Sequence, residues 1–424
     1  MDTRRQKAEE LVNRGRVVRH NAVTWWVFSL NSPNQYRVIL NPDGDTCACD
    51  DFDERGLPCK HILAARIMDA REKAGIVTEP VTDTPPIQFR KPTYRQVWPA
   101  YNAAQQVEKE RFRELLFDLT RCIEEPPPKP GRGKRPLPLR DAIFAAIYKI
   151  YSTFSGRRFM TDLNGALEQG FLSGPVSYNS IFKCLESEAV TPILHALIER
   201  SSLPLRSVDV DFAADASGFS TCRYTRWYDQ KYGRVRLKCD WVKVHLMVGV
   251  KTNVVTAAII GDKDANECPM LPPLVNAAAK NFTVNECSAD KGFCSRGNAE
   301  AVAAVGSTPF IPFKSNVGPD GGGMWERMYH FFHYHREEFM AHYHKRSNVE
   351  STFSAIKRKL GDSVRSKTDV AMKNEVLGKL VAYNICCVIQ EMHELGIEAE
   401  FWPEKPGEGP EEDGPAILPM VRPG

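Results

Sequence analysis

The chain has 424 residues and a formal net charge of +3, with 42% hydrophobic and 26% charged residues. These fractions indicate a folded soluble protein, and the length predicts two or three domains. The polar start "MDTRRQKAEELVNRG" excludes a signal peptide, and no run approaches the roughly 20 apolar residues of a membrane span. We therefore expect an intracellular protein without a membrane partner, in which clustered cysteines are metal ligands rather than disulfides. The net charge alone is too small to establish a polyanionic partner.

The amino-terminal part predicts a small module with two strands and a helix. The runs "TWWVFSLN" and "QYRVILN" flank "SPN" and predict a β-hairpin, because aromatic and β-branched residues favour strands around a turn. The stretch "CKHILAARIMDAREKAG" predicts a helix that ends at Gly75.

Four metal-ligand residues occur as two close pairs in "CACDDFDERGLPCKH". They are Cys47, Cys49, Cys59 and His61. Zinc prefers four tetrahedral sulfur and nitrogen ligands, and a filled shell indicates a structural role. The neighbouring aspartates 50 and 51 could compete, but thiolates are the softer and better zinc ligands.

This cysteine and histidine pattern, preceded by "QYRVILNPDGDT" and followed by "ILAA", resembles a SWIM zinc finger over roughly residues 15–75. Such modules accompany DNA-processing domains. The resemblance implies a recognition role toward DNA or protein and leaves the partner open.

Proline-rich segments at 78–92 and 124–138 predict linkers, since proline interrupts both helices and sheets. We predict five segments: a zinc finger at 1–77, linkers and a helix at 78–140, a helical domain at 141–204, a catalytic domain at 205–395 and a disordered tail at 396–424. The basic clusters "KPGRGKRPLPLR" and "SGRRF" suit a phosphate backbone, although solvated linker charge is the commoner meaning. The helical domain is therefore either a DNA-binding unit or a plain packing domain.

From about Leu205 the pattern predicts three strands, a helix, a strand, a helix, a strand and a long helical stretch at 331–361. This order is typical of a mixed α/β sheet covered by helices. The final segment at 368–395 predicts an amphipathic helix pair that covers the sheet.

Two aspartates are predicted at strand ends, Asp215 in "AADASGF" and Asp290 in "SADKGF", and Glu350 lies on the last part of the long helix. Residues at the carboxyl ends of strands in an α/β sheet converge on one edge. Three carboxylates there repel one another unless cations neutralise them, and two magnesium ions about 3.5–4 Å apart would do so.

Four other aspartates are equally acidic, and spacing alone does not exclude them. We interpret Asp209 and Asp211 as the solvent face of the first strand, and Asp262 and Asp264 as a loop and a helix cap.

The stretch "YHKRSNVESTFSAIK" places Tyr343, Glu350 and Lys357 at seven-residue steps, with Arg346 four residues before Glu350. On one continuous helix these four side chains would share a face. Taken alone, the pattern indicates a charged solvent face. The histidines between positions 330 and 344 could form a second metal site, face DNA or pack.

The unbroken Tyr-x2-Arg-x3-Glu-x6-Lys pattern, with "RSNVE", "DASGF" and "ADKGF", resembles the DDE transposases of insertion sequences over about residues 140–395. The resemblance implies an RNase H-like α/β fold, preceded by a helical domain and by the small β-hairpin and helix of the zinc finger. It also implies that Asp215, Asp290 and Glu350 hold two magnesium ions, with manganese as a possible substitute.

For the other signature residues the resemblance implies contacts with DNA. Arg346 and Lys357 would hold phosphates of the transposon end, and Tyr343 would contact DNA near the scissile bond. Bidentate arginine and point-charge lysine both suit phosphate oxygens.

We predict a transposase that cleaves and transfers DNA strands at insertion-sequence ends. Its partners would be double-stranded DNA, both transposon ends and target, and a second copy of the chain, in the cytoplasm or nucleoid. Two alternatives stay open: a domesticated descendant that binds DNA without transposing, and a plain metal nuclease.

Overall fold

The computed structural model describes residues 3–30, 34–42, 44–74, 97–127, 137–221, 241–261, 264 and 266–402. The predicted linker at 78–92, most of the one at 124–138, the tail beyond 402 and Asp262 therefore lie outside the described residues. The chain divides into two compact units, Met1–Tyr94 and Arg95–Gly424. Within the described ranges, no helix combines the length and apolar character needed to cross a bilayer.

The first unit packs helices against a four-stranded antiparallel sheet in the order β1-β2-β3-β4. Its elements are α1 (Thr3–Asn13), β1 (Val17–Arg19), β2 (Thr24–Phe28), β3 (Gln35–Ile39), β4 (Thr46–Cys47), α2 (Asp50–Arg55) and α3 (Lys60–Lys73). The predicted hairpin is confirmed, because β2 and β3 pair from Thr24↔Ile39 onward. Trp25, Val27 and Ile62 are fully buried and join both layers.

The second unit begins with helices that share one hydrophobic core. They are α4 (Trp98–Thr120), α5 (Leu139–Ser152), α6 (Gly156–Glu168), α7 (Tyr178–Leu185) and α8 (Val190–Ser202). The same core contains Leu380 of a later helix and Val244 of the sheet. Residues 141–204 thus have no separate core, and their role in DNA binding stays a prediction.

The sheet of the second unit has the strand order β7-β6-β5-β8-β9. Its strands are β5 (Asp211–Ser220), β6 (Trp241–Gly249), β7 (Val255–Gly261), β8 (Glu286–Ala289) and β9 (Thr308–Phe310). The first three strands are antiparallel, and β8 and β9 run parallel to β5. This is the predicted RNase H-like mixed sheet. Helices α9 (Leu271–Ala279) and α10 (Arg296–Ala304) connect β7 to β8 and β8 to β9.

The predicted long helix at 331–361 is wrong in its continuity. The segment contains the end of α11 (Gly323–Tyr334), then α12 (Arg336–Tyr343), a 3-10 turn at His344–Arg346 and α13 (Ser347–Leu360). His335, with φ −123° and ψ 49°, leaves the helical region and separates α11 from α12.

The predicted helix pair at 368–395 is also wrong, because Asp369–Leu395 form one helix, α14. It packs mainly on α8, α4 and α5, with fewer contacts to the sheet. Gly378 does not interrupt it, since a Cβ there would lie 2.5 Å from Cδ1 of Ile150 and the glycine allows α5 to approach. Because other elements enclose α14 on most sides, this helix is apolar around most of its circumference rather than along one face.

Candidate active site and zinc site

The two strand aspartates meet because β5 extends beyond its parallel neighbour. The parallel pairing of β5 with β8 ends at Ala214↔Ala289. Asp215 is the next residue of β5, and Asp290 is the first residue after β8. Asp215 therefore lies inside β5, which continues to Ser220, and not at the predicted strand end. The expected convergence at one edge still holds, because the neighbouring strand ends there.

Arg346 joins the first aspartate to the glutamate. Its Nη1 donates to Oδ2 of Asp215 at 2.7 Å, and its Nη2 donates to Oε1 of Glu350 at 2.6 Å. The side chains of Arg346 and Asp215 are 19% and 17% exposed, whereas that of Glu350 is 56% exposed. Burial opposes the charge of Arg346, but Tyr343 and the surrounding carboxylates raise its pKa. The guanidinium is thus the cation that currently neutralises two of the three carboxylates.

Tyr343 reaches the remaining carboxylate. Its hydroxyl donates to Oδ1 of Asp290 at 3.4 Å, and the Arg346 guanidinium lies 5.8 Å from its ring centroid. Burial, the main cause, raises the pKa of Tyr343, so the phenol stays protonated and remains a donor at neutral pH. Tyr343, Arg346, Asp215, Asp290 and Glu350 therefore form one connected group.

Burial also raises the pKa of Asp215, with Asp290 and Glu350 adding to the effect. The backbone N–H of Ala216 and the guanidinium of Arg346 lower it in part. A buried carboxylate beside two like charges gains from any added cation.

Lys357 extends the site along β5. Its Nζ donates to Oγ of Ser217 at 2.7 Å and lies 5.5 Å from the Phe219 ring centroid. It also lines an open cleft of about 680 Å³ together with Trp241, whose side chain is 46% exposed. The exposed tryptophan and the lysine border the same concave surface beside the carboxylates.

The turn that carries Arg346 is held by a network that sequence reasoning missed. Lys345 Nζ donates to Oδ2 of Asp211 at 2.8 Å and to Oε2 of Glu286 at 2.7 Å. His342 lies 2.8 Å from the other oxygen of Glu286 and stacks on Phe310. These contacts fix the 3-10 turn across β5 and β8. The sequence does carry a signal for this network. Lys345 is a basic residue beside Arg346, and the two strands begin with acidic residues, Asp211 and Glu286.

The interpretation of Asp209 as a solvent-facing residue is wrong. Its side chain is 1% exposed and accepts hydrogen bonds from the N–H groups of Lys251 and Thr252 and from the Thr252 hydroxyl. Asp209 thus closes the turn between β6 and β7. Asp211 is partly buried and paired with Lys345, so it is not a free solvent-face carboxylate either.

The histidines at 330–344 contribute to packing rather than to a metal site among the described residues. His330 stacks on Tyr334, and His333 packs on Tyr329. The set of metal-ligating atoms in the described chain that lie within 4.8 Å of one another belongs to the first unit. Asp215, Asp290 and Glu350 do not form such a set, consistent with the position of Arg346 between two of them.

That compact set consists of Cys47, Cys49, Cys59 and His61, and all four residues are buried. Nδ1 of His61 lies 3.8 Å from the sulfurs of Cys47 and Cys59. Zinc bonded to sulfur at about 2.3 Å and to nitrogen at about 2.0 Å would separate these atoms by roughly 3.5 Å. The donor set and its spacing therefore fit a structural zinc ion.

The three thiols of this set interact with one another, and their pKa values shift as a result. A hydrogen bond with Cys59 raises the pKa of Cys47, and the same bond lowers the pKa of Cys59 to about 3. Burial raises the pKa of Cys49. Zinc binding would deprotonate all three thiols, and the bound ion would offset the repulsion between the thiolates. The His61 ring stacks on Tyr36 at 4.2 Å, which fixes its orientation toward the sulfurs.

Comparisons with known proteins give a family match in each of the two compact units. Residues 206–385 match the family model described as transposase DDE domain, and residues 36–68 match the SWIM zinc finger. No curated protein sequence gives a significant match. Among solved structures, the chain is similar to a cryo-EM structure of the piggyBac transposase synaptic complex with hairpin DNA. The identity is 9%, the match covers 74% of this chain and 78% of that chain, and the TM-score is 0.32.

Proposed function

Because the chain carries a transposase DDE domain together with a SWIM zinc finger, we propose that it is a transposase that cleaves and joins DNA strands at the ends of an insertion sequence. The observation that supports this most directly is the connected group of Asp215, Asp290 and Glu350, bridged by Arg346 and Tyr343. A protein that only binds DNA has no need of three carboxylates gathered at one sheet edge.

Asp215, Asp290 and Glu350 would hold the divalent cations, for which hard carboxylate oxygens are the preferred ligands. When bound, two such ions would activate a hydroxyl nucleophile and stabilise the leaving oxygen of a phosphodiester. We assign magnesium as the native ion, and manganese would suit the same ligands. The protein contributes a rigid support, because Asp215 lies in β5 and Asp290 directly follows β8, the parallel neighbour of β5.

Arg346, Lys357 and Tyr343 would hold the DNA. Arg346 can turn its fork from the carboxylates to a phosphate, to which it would donate two hydrogen bonds. The ammonium of Lys357 would contact the next part of the backbone. Tyr343 would place its ring against the nucleotide at the scissile bond while its hydroxyl stays near Asp290.

Two copies of the chain would act on paired transposon ends, and the zinc finger would bind DNA or a protein partner. We place the protein at cellular DNA, in the cytoplasm or nucleoid. The five-segment division of the chain is part of the same proposal, with catalysis assigned to residues 205–395.

The test is strand cleavage of duplexes that carry the inverted repeats flanking the coding region, with magnesium present. Glu350→Gln should reduce the cleavage rate on the order of a thousandfold, because a lost metal ligand removes several kcal/mol of transition-state stabilisation. Glu337→Gln is the matched control, since this exposed glutamate lies on the preceding helix. Cleavage that survives in Glu350→Gln would rule out this site. Binding without cleavage by the unaltered chain would favour the domesticated descendant.

A further inference from the structure

A second, smaller cavity lies between α5, α14 and the loop that follows α13. Its volume is about 100 Å³. The charged residues that line it are Lys149, Asp362, Arg365, Glu375 and Lys379. None of them belongs to the catalytic group described above.

Lys379 is almost completely enclosed, with 2% of its surface exposed. Its Nζ donates to the carbonyl oxygens of Gly361 and Ser363, both at 2.8 Å. Burial lowers the pKa of Lys379 to about 8, since the cavity supplies too little negative charge to offset the lost hydration. An ammonium has three donors, and these two carbonyls use two of them.

Lys149 is 5% exposed and lacks a hydrogen bond or an ion pair with any described residue. Its Nζ lies 5.9 Å from the ring centroid of Phe182. Burial lowers the pKa of Lys149 as well. Glu375 offsets this effect only in part, so a bound anion would stabilise the charged form of Lys149.

Glu375 makes no direct hydrogen bond to Lys149, because its oxygens are bonded to other groups. They accept hydrogen bonds from the backbone N–H groups of Arg365 and Ser366 and from the Ser366 hydroxyl. The Arg365 guanidinium donates to the carbonyl of Phe154, a neutral acceptor. The cavity is therefore lined by three cationic side chains and by two carboxylates, Glu375 and Asp362, which leaves one formal positive charge without a carboxylate.

We propose that this cavity binds a phosphate oxyanion. Phosphate offers several acceptor oxygens to the ammonium groups of Lys149 and Lys379 and to Arg365. Its source is either a backbone phosphate of DNA or free inorganic phosphate. The DNA source rests on the proposed function and is supported by position. Lys379 and Lys357 lie 5.3 and 5.5 Å from the centroid of the same buried Phe219 ring, so a single side chain lies between the lysine of the cavity and the lysine assigned to the DNA.

The first experiment titrates the full chain, without DNA or magnesium, with inorganic phosphate and follows binding by calorimetry. The unaltered protein should bind phosphate, and Lys149→Met should weaken that binding about tenfold or more, because it removes a charge-assisted contact. Lys280→Met is the control, an exposed lysine directly after helix α9 and outside the helical domain. Arg365→Met provides a second variant on an exposed residue of the loop, in case Lys149→Met fails to fold.

The second experiment measures DNA affinity against salt concentration without divalent cations. If a DNA phosphate fills the cavity, Lys149→Met should reduce the slope of log K against log salt by about 1, and Lys280→Met should leave it unchanged. An unchanged slope together with weakened phosphate binding would identify the free oxyanion as the ligand.

The proposal is overturned if the unaltered chain binds no phosphate and the slope is unchanged, or if Lys149→Met and Arg365→Met both bind phosphate as tightly as the unaltered chain. A failure of DNA cleavage would not affect the phosphate titration. The two proposals therefore fail separately.

Discussion

At the scale of single residues, Arg346 competes with the proposed divalent cations for the same carboxylate oxygens. Its guanidinium donates to Asp215 and Glu350, the same oxygens that the proposed divalent cations need. Metal binding therefore requires the arginine to leave, and a DNA phosphate offers it an equivalent pair of acceptors. Metal and DNA would thus favour each other's binding, because the metal displaces the Arg346 guanidinium from the carboxylates and a DNA phosphate accepts it.

This exchange predicts that Arg346→Met binds Mn²⁺ more tightly than the unaltered chain when DNA is absent. The gain should be about tenfold, since hydrogen bonds between charged groups contribute about 1.5–3 kcal/mol and the variant has none to give up. Titration of Mn²⁺ followed by electron paramagnetic resonance measures it. The same variant should bind DNA more weakly and show a smaller salt slope.

Arg358→Met is the control for this prediction, because Arg358 lies on the same helix and contacts Ser354 rather than a carboxylate. An unchanged or weaker affinity of Arg346→Met for Mn²⁺ would contradict the exchange.

The sequence predicts the contact between Arg346 and Glu350, because residues four apart on a helix are neighbours. It does not predict the contact between Arg346 and Asp215, which are 131 positions apart. That contact depends on how far β5 extends past β8 and on the 3-10 turn held by Lys345. Both are set by tertiary packing, which local periodicity does not encode.

At the scale of elements, the strand and helix order from Leu205 onward follows from the sequence, and the continuity of the helices does not. The segment at 331–361 contains no proline and no glycine before Gly361, so the break at His335 has no local signal in the sequence. In the opposite case, the predicted pair at 368–395 is a single helix, and Gly378 lies inside it without a break. Gly378 allows the close approach of Ile150 and does not form a turn.

Replacement of Gly378 tests this close approach. Gly378→Ala should lower the free energy of unfolding by about 1 kcal/mol, because the clash with Cδ1 of Ile150 outweighs the gain in helix propensity. Ile150→Val removes that carbon atom and should cost about 0.5–1.5 kcal/mol alone. The double variant should then be more stable than the sum of the single effects predicts, as measured by urea unfolding. Strict additivity would show that the two residues are not coupled.

At the scale of the whole molecule, the two compact units are stabilised by different means. The second unit has two large hydrophobic clusters on the faces of its sheet. The first unit has one small cluster, which includes three of its four zinc ligands. Domains of this size bury little apolar surface and are marginal without a metal or disulfides. The sequence predicts this ligand set in full, because all four residues lie within fifteen positions and are brought together by one strand end and one helix start.

We therefore expect zinc chelation to unfold the first unit and to leave the second folded. Structural zinc contributes an apparent binding free energy of about 10–16 kcal/mol, which is comparable to the whole stability of a domain. Calorimetry of the full chain should show one transition disappear on chelation while the other keeps its midpoint. Cys59→Ser should reproduce the loss, and Cys122→Ser, a change at an exposed cysteine, should not. A matching shift of both transitions would mean that the units unfold together, and zinc would then support the catalytic unit as well as the finger.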